Sequence, residues 1–246
     1  MNNYQLVWSD EFDYEGAPDP AKWNYDLGNH QWANRELQAY TDRPANVLVK
    51  DGKLMIRAVK EKDGEREYTS TRLITYDRVS WQYGRFEFRV KLPQGLGSWP
   101  AVWMLSDSIK TGNPWPRCGE IDIIEHCGRW KNQLLFSLHS AKHNHTRKDT
   151  RQYVETIEYP GVTEDFHDYA MEWTPSYIEF FVDGKSMCRY HKSDDAEDRT
   201  KEAWPFDQPF YLIFNIAVGG SLGGEVKEED LPFIMEVEYV RVYQKQ

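Results

Sequence analysis

Gly84-Arg85-Phe86-Glu87-Phe88-Arg89-Val90-Lys91-Leu92 alternates between charged and apolar side chains from Arg85 to its end. A period of two marks a strand with one face on a core, because successive side chains point to opposite faces. Phe86, Phe88, Val90 and Leu92 therefore face inward, and Arg85, Glu87, Arg89 and Lys91 face outward. The same grammar extends in both directions. Val47-Leu48-Val49-Lys50 and Lys53-Leu54-Met55-Ile56-Arg57 flank Asp51-Gly52, a pair that tolerates positive φ and closes a hairpin. A second pair, Asp183-Gly184, follows the β-rich run from Tyr177 to Val182. Further strands are expected from Leu134 to His139, Tyr169 to Trp173, Tyr211 to Val218 and Met235 to Tyr243. Helical signals are sparse. Asp19-Pro20-Ala21-Lys22-Trp23 suits one turn with Asp19 as N-cap and Pro20 in first position, and 193–203 suits a short exposed helix. No linker, repeat or composition break interrupts the chain, so 1–246 reads as a single all-β domain, two antiparallel sheets packed face to face.

Composition narrows the class. Lys and Arg number 30 against 40 Asp and Glu, a net charge of -10, and aromatics make up 15% of the 246 residues. That aromatic content excludes a disordered chain. No stretch approaches the ~20 apolar residues of a membrane span. The acidic balance and the scattered basic residues argue against nucleic acid as a partner. Met1 to Leu6 carries none of the parts of a secretory signal, which leaves a cytoplasmic protein or one whose signal has been removed. Cys118, Cys127 and Cys188 lack zinc-like spacing; the set favours three free thiols over a single Cys118–Cys127 bridge.

The densest chemistry lies in Gly119-Glu120-Ile121-Asp122-Ile123-Ile124-Glu125-His126. In a strand, Glu120 and Asp122 share a face while Ile121 and Ile123 enter the core. Strict alternation would then send Glu125 inward, where a carboxylate is costly to bury. A β-bulge near Ile123-Ile124 shifts the register by one residue and returns Glu125 to the polar face. The result is three carboxylates in a row on one strand. Such a row suits glycoside hydrolysis with retention, which needs one carboxylate as nucleophile and one carboxyl group as acid/base. Asp122 between them is expected to spread their pKa values apart. A solvated acidic face and metal ligation by the three carboxylates are the other readings. Trp99 and Trp103, in Trp99-Pro100-Ala101-Val102-Trp103, and Trp115, between Pro114 and Pro116, can stack on the C–H faces of sugars; core packing is the plain alternative for each.

The chain resembles glycoside hydrolase family 16, in its laminarinase-like branch, from Trp8-Ser9-Asp10-Glu11-Phe12 to Val240-Arg241-Val242-Tyr243. The motifs that carry the resemblance are Glu36-Leu37-Gln38-Ala39-Tyr40-Thr41, Tyr83-Gly84-Arg85-Phe86-Glu87, Trp99-Pro100-Ala101-Val102-Trp103-Met104-Leu105, Glu120-Ile121-Asp122-Ile123-Ile124-Glu125 and Asn215-Ile216-Ala217-Val218-Gly219-Gly220. The resemblance implies a β-jelly-roll sandwich of two curved antiparallel sheets with an open cleft. It implies Glu120 as nucleophile, Glu125 as acid/base and Asp122 as the assisting carboxylate, with His139 beside the nucleophile. Substrate contacts are implied at Asn46, Arg85, Trp99, Trp103 and Trp115. A structural calcium on the convex side is implied through Glu11, the backbone of Gly52 and Glu238, where relatives commonly have Asp; no cofactor is required for the reaction.

The function so implied is an endo-acting β-glucanase on β-1,3-glucan or mixed-linkage β-1,3-1,4-glucan. The scarcity of clustered basic residues disfavours an anionic polymer. A transglycosylase on the same glucans, and a non-catalytic glucan-binding lectin, are the alternatives; such lectins typically lose a glutamate that this chain retains. A polymeric substrate implies a secreted, periplasmic or cell-surface protein, and a monomer is expected.

Overall fold

The computed structural model describes residues 3–193 and 199–246, and their strands form two sheets. One runs, in spatial order, through Lys185–His191 (β15), Tyr177–Val182 (β14), His167–Trp173 (β13), Gly84–Lys91 (β8), Phe233–Lys245 (β17), Lys53–Asp63 (β5), Arg66–Ser70 (β6) and Gln38–Tyr40 (β3). Tyr4–Asp10 (β1) pairs with β17, and Val47–Lys50 (β4) with β5. The other sheet runs through Tyr153–Glu158 (β12), Gln133–His139 (β11), Glu120–Glu125 (β10), Ser98–Ser106 (β9), Phe210–Val218 (β16), Arg72–Ile74 (β7) and Asn24–Tyr25 (β2). Pairing is antiparallel except between β3 and β6, which are parallel. That one pair departs from the purely antiparallel expectation.

The alternation in β8 is realised as read. Phe86, Phe88 and Val90 are fully buried, and the charged residues between them stay half-exposed. Their partners across the sandwich come from the second sheet: Val102 and Met104 of β9, Ile121 and Ile123 of β10, and Phe214 of β16 belong to the same buried cluster. Phe88 meets Phe214 edge to face at 5.9 Å between ring centroids, which ties the sheets together. Burying a side chain of this size contributes about 2–3 kcal/mol. At the hairpin between β4 and β5, Asp51 and Gly52 both take positive φ, 53° and 71°, as a tight two-residue turn requires.

Asp19 makes its single turn, its carboxylate accepting from the Ala21 amide at 2.9 Å. The helix expected over 193–203 falls partly on 194–198, outside the described residues; 199–203 form a bend and a turn. The three cysteines are free, Cys118 and Cys127 buried. None of the described helices is long and apolar enough to cross a membrane.

Candidate active site

The site is built on the face of the seven-stranded sheet that points away from the core. Along β10 the register against β9 is Glu120 to Leu105, Ile121 to Met104 and Asp122 to Trp103, then Ile124 to Val102 and Glu125 to Ala101. One residue is extra between Asp122 and Ile124. The ladder with β11 slips at the same place, between Asp122 and Glu125. The bulge lets Ile121, Ile123 and Ile124 all enter the core while Glu120, Asp122 and Glu125 share the outer face. Three isoleucines thereby enter the core while the carboxylates keep to the other face of the sheet.

Neighbouring strands complete the constellation. His139 of β11 stands opposite Glu120, its Nε2 lying 3.4 Å from Asp122 Oδ2 and 3.7 Å from Glu120 Oε1. Trp99 of β9 donates its indole N–H to Glu125 Oε1 at 2.8 Å. Burial pushes Glu120 up to about 8, with further upward pressure from Asp122 and Glu125. Burial likewise raises Asp122 to about 8. Glu125 is raised to about 7 by burial and by Asp122, with the Trp99 hydrogen bond pulling the other way. All three carboxyl groups thus hold protons close to neutrality. Burial lifts the whole row, and Asp122 adds upward pressure on both glutamates.

Aromatic residues extend the face on both sides. Trp103, beside Asp122 in the ladder, donates its indole N–H to Asn215 Oδ1 at 2.7 Å. Trp115 lies against His145 at 5.2 Å and His139 at 6.2 Å between ring centroids. Trp99, Trp103 and Trp115 are each half-exposed, so none is consumed by the core.

Two expected substrate contacts lie elsewhere. Asn46 is fully buried; its amide donates to Thr69 Oγ1 at 2.9 Å and to the Arg57 carbonyl at 3.2 Å, and its oxygen accepts from Thr41. It is a structural knot with no donor left for a ligand. Arg85 does point away from the core, but on the opposite sheet, where it bonds Glu87 at 2.6 Å and lies over Phe181. The guanidinium at the site belongs to Arg72 of β7, paired in register with Asn215. It lies 4.7 Å from the ring centroids of both Trp32 and Trp103, 3.4 Å from Asp26, and its charge draws the Glu120 pKa downward. Arg72 and Trp32 were missed. The signal that could have found Arg72 is its place in Ser70-Thr71-Arg72-Leu73-Ile74, a charge inside a run that is otherwise apolar or hydroxylated.

The residues expected to hold calcium do not fit a cation. Both oxygens of Glu11 are taken by the Arg241 guanidinium, at 3.0 and 2.7 Å, and Glu238 accepts from Arg89 at 2.7 Å. Lys53, next to Gly52, pairs with Glu236 at 2.7 Å. Three cations already neutralise this edge.

Comparison with known proteins agrees with this geometry. Residues 31–239 match the family described as Glycosyl hydrolases family 16. A curated beta-glucanase from Rhodothermus marinus is 49% identical over 98% of this chain and 85% of its own length. A glucan endo-1,3-beta-glucosidase from Cryptopygus antarcticus is 38% identical over 96% of this chain and 90% of its own. The crystal structure of the Rhodothermus marinus laminarinase superimposes with a TM-score of 0.92 at 47% identity, covering 99% of this chain and 98% of that one. With the bulged carboxylate strand and the two-sheet sandwich in place, these matches make the chain a member of glycosyl hydrolase family 16.

Proposed function

We propose that the chain is a retaining endo-β-glucanase that hydrolyses β-1,3-glucan or mixed-linkage β-1,3-1,4-glucan. The observation that carries the reading is the extra residue of β10, which sets three proton-holding carboxyl groups beside indole rings on one open sheet face. Relatives support the substrate: a beta-glucanase, a laminarinase, and a non-specific endo-beta-1,3(4)-glucanase co-crystallized with a mixed-linkage glucan fragment, 39% identical with a TM-score of 0.91 over all of this chain and 96% of its own.

Glu120, once ionised, attacks the anomeric carbon and forms a glycosyl ester, while Glu125 protonates the departing oxygen. Glu125 then takes a proton from water, whose oxygen displaces Glu120, and the two successive inversions leave the configuration retained. An acid/base poised near neutral pH is suited to both directions of this transfer. Asp122, a group that can keep its proton, and His139, whose Nε2 lies 3.7 Å from Glu120 Oε1, flank the nucleophile. Trp99 holds the Glu125 carboxyl by one oxygen and leaves the other for the substrate. Trp103, Trp115 and Arg72 form a floor for sugar rings.

The test is Glu120→Gln assayed on laminarin, barley glucan, curdlan and agarose, with linkage analysis of the products. A fall in glucan hydrolysis of at least about a thousandfold is expected. Hydrolysis at the parent rate would remove Glu120 from the mechanism. A parent protein that binds laminarin and cleaves no glucan would favour a binding role, like that of the β-1,3-glucan-binding protein of Penaeus monodon, 34% identical over 63% of this chain and 48% of its own length.

A polymer of this size does not cross membranes, which supports action outside the cytoplasm. The paired arginines support a fold that needs no calcium. Chelation with EGTA is expected to leave the melting temperature and the rate unchanged, and a rise of several degrees on adding calcium would count against this.

A further inference from the structure

Glu36, Gln38 and Tyr40 belong to a sequence motif that the proposed mechanism leaves without a task. All three are buried. Glu36 Oε2 accepts from Gln38 Nε2 at 2.7 Å and from the Tyr40 hydroxyl at 3.2 Å, and Oε1 accepts from Asn34 Nδ2 at 3.1 Å. The Tyr40 oxygen accepts from Asn215 Nδ2 at 2.9 Å, and Asn215 Oδ1 accepts from the Trp103 indole at 2.7 Å. Every donor in this line points the same way: Trp103 to Asn215, Asn215 to Tyr40, Tyr40 to Glu36. Burial raises the Glu36 pKa while the hydrogen bonds it accepts and the Arg72 charge pull it down; in its ionised form Glu36 can only accept, which fixes the direction of the whole line. Reversing the Asn215 amide would turn its NH2 toward the indole N–H and leave two donors facing one another without an acceptor.

We infer that Glu36 is a positioning residue which, through Tyr40 and Asn215, sets the orientation of the Trp103 ring beside Asp122. The ring is the far end of the line, and Arg72 presses on it from its other neighbour, Trp32. The inference rests on the proposed role of Trp103 as a sugar platform. A purely structural role for the motif has its own observations: Gln38 Oε1 accepts from the Val218 amide at 2.7 Å, and Glu36 bridges to Gly219. The Tyr40 hydroxyl takes no part in those contacts. Tyr40→Phe therefore cuts the line to Trp103 and leaves the loop pinned to β16.

The experiment uses protein labelled with 15N at tryptophan, in which the Trp103 indole N–H signal is assigned by its loss in Trp103→Phe. Tyr40→Phe and Glu36→Ala are expected to shift that signal and raise KM for laminarin about fivefold, with kcat within about twofold. Glu36→Gln keeps an oxygen for the Tyr40 hydroxyl and is expected to restore both readings. The double variant Tyr40→Phe/Trp103→Phe should have the KM of Trp103→Phe alone, because no indole N–H remains to be oriented. An unmoved indole signal in Tyr40→Phe, or KM effects that multiply in the double variant, overturns the inference. The indole signal is read without turnover, so a parent chain inactive on every β-glucan would overturn the proposed hydrolysis while this line of bonds is still judged on its own.

Discussion

Arg72 and Arg85 show what a single residue can and cannot declare about itself. Arg85 stands at the outward position of an alternating strand, whereas Arg72 opens a strand of three residues that are all buried. Which sheet each strand joins depends on pairings with distant segments, β7 with β16 and β8 with β13 and β17, and no local pattern carries that information. Arg72 is flat, permanently charged and held between two indole rings, a place that suits a guanidinium and not an ammonium. Arg72→Lys is expected to raise KM for laminarin about tenfold, from the loss of roughly 1–2 kcal/mol of stacking, with a smaller effect on kcat. Arg85→Lys, on the other sheet, should leave both constants at the parent values. Kinetics on the two variants side by side checks the assignment, and the reverse order of effects would overturn it. Asn46 escaped a sequence reading for a related reason. Its partner Thr69 is distant in the chain, and a polar residue that will be buried and satisfied looks the same in sequence as one that will meet a ligand.

At the scale of the element, β10 was legible down to its irregularity. Two requirements compete along Glu120 to Glu125, apolar residues inward and carboxylates outward, and only one inserted residue meets both. The conflict itself is the signal. Deleting Ile124 removes the inserted residue and restores strict alternation with Glu125 still outward: Glu120 out, Ile121 in, Asp122 out, Ile123 in, Glu125 out. Hydrolysis is therefore expected to persist, within about tenfold of the parent. Losing one fully buried isoleucine should cost about 2–5 kcal/mol, roughly 5–15 °C in melting temperature. Activity assays with a thermal melt check this: a folded, lower-melting variant that still hydrolyses glucan is the expected result, and a folded variant without hydrolysis would show that the bulge does more than keep Glu125 on the outer face. The short strands β2, β3 and β7 gave no such signal. Each is two or three residues long, too short for a period to register.

For the whole molecule the three raised carboxyl groups act on stability as well as on catalysis. In the folded chain Glu120 and Asp122 titrate at about 8 and Glu125 at about 7, whereas in the unfolded chain all three titrate at about 4. Between those values the folded state holds protons that the unfolded state has lost, so stability falls as pH rises through the window from about 4 to 8. His126 works against this. Burial lowers its pKa from 6.5, so the unfolded chain takes up that proton first and stability falls as pH drops below about 6.5. Three carboxyl groups outweigh one imidazole, and Glu11, held below the usual carboxylate range by Arg241, begins to lose its contribution only below about pH 4.5. The melting temperature should therefore be higher at pH 5.5 than at pH 8.5. A net charge of -10 that repels itself more as the carboxyl groups ionise adds to the same slope, so the slope alone does not identify its source. Asp122→Asn does identify it. The variant cannot ionise at that position and should gain about 1–3 kcal/mol at pH 8.5, roughly 3–10 °C, while gaining nothing at pH 4. Equal gains at both pH values would mean that the substitution relieves packing rather than charge, and the buried row would then not be the origin of the alkaline limb.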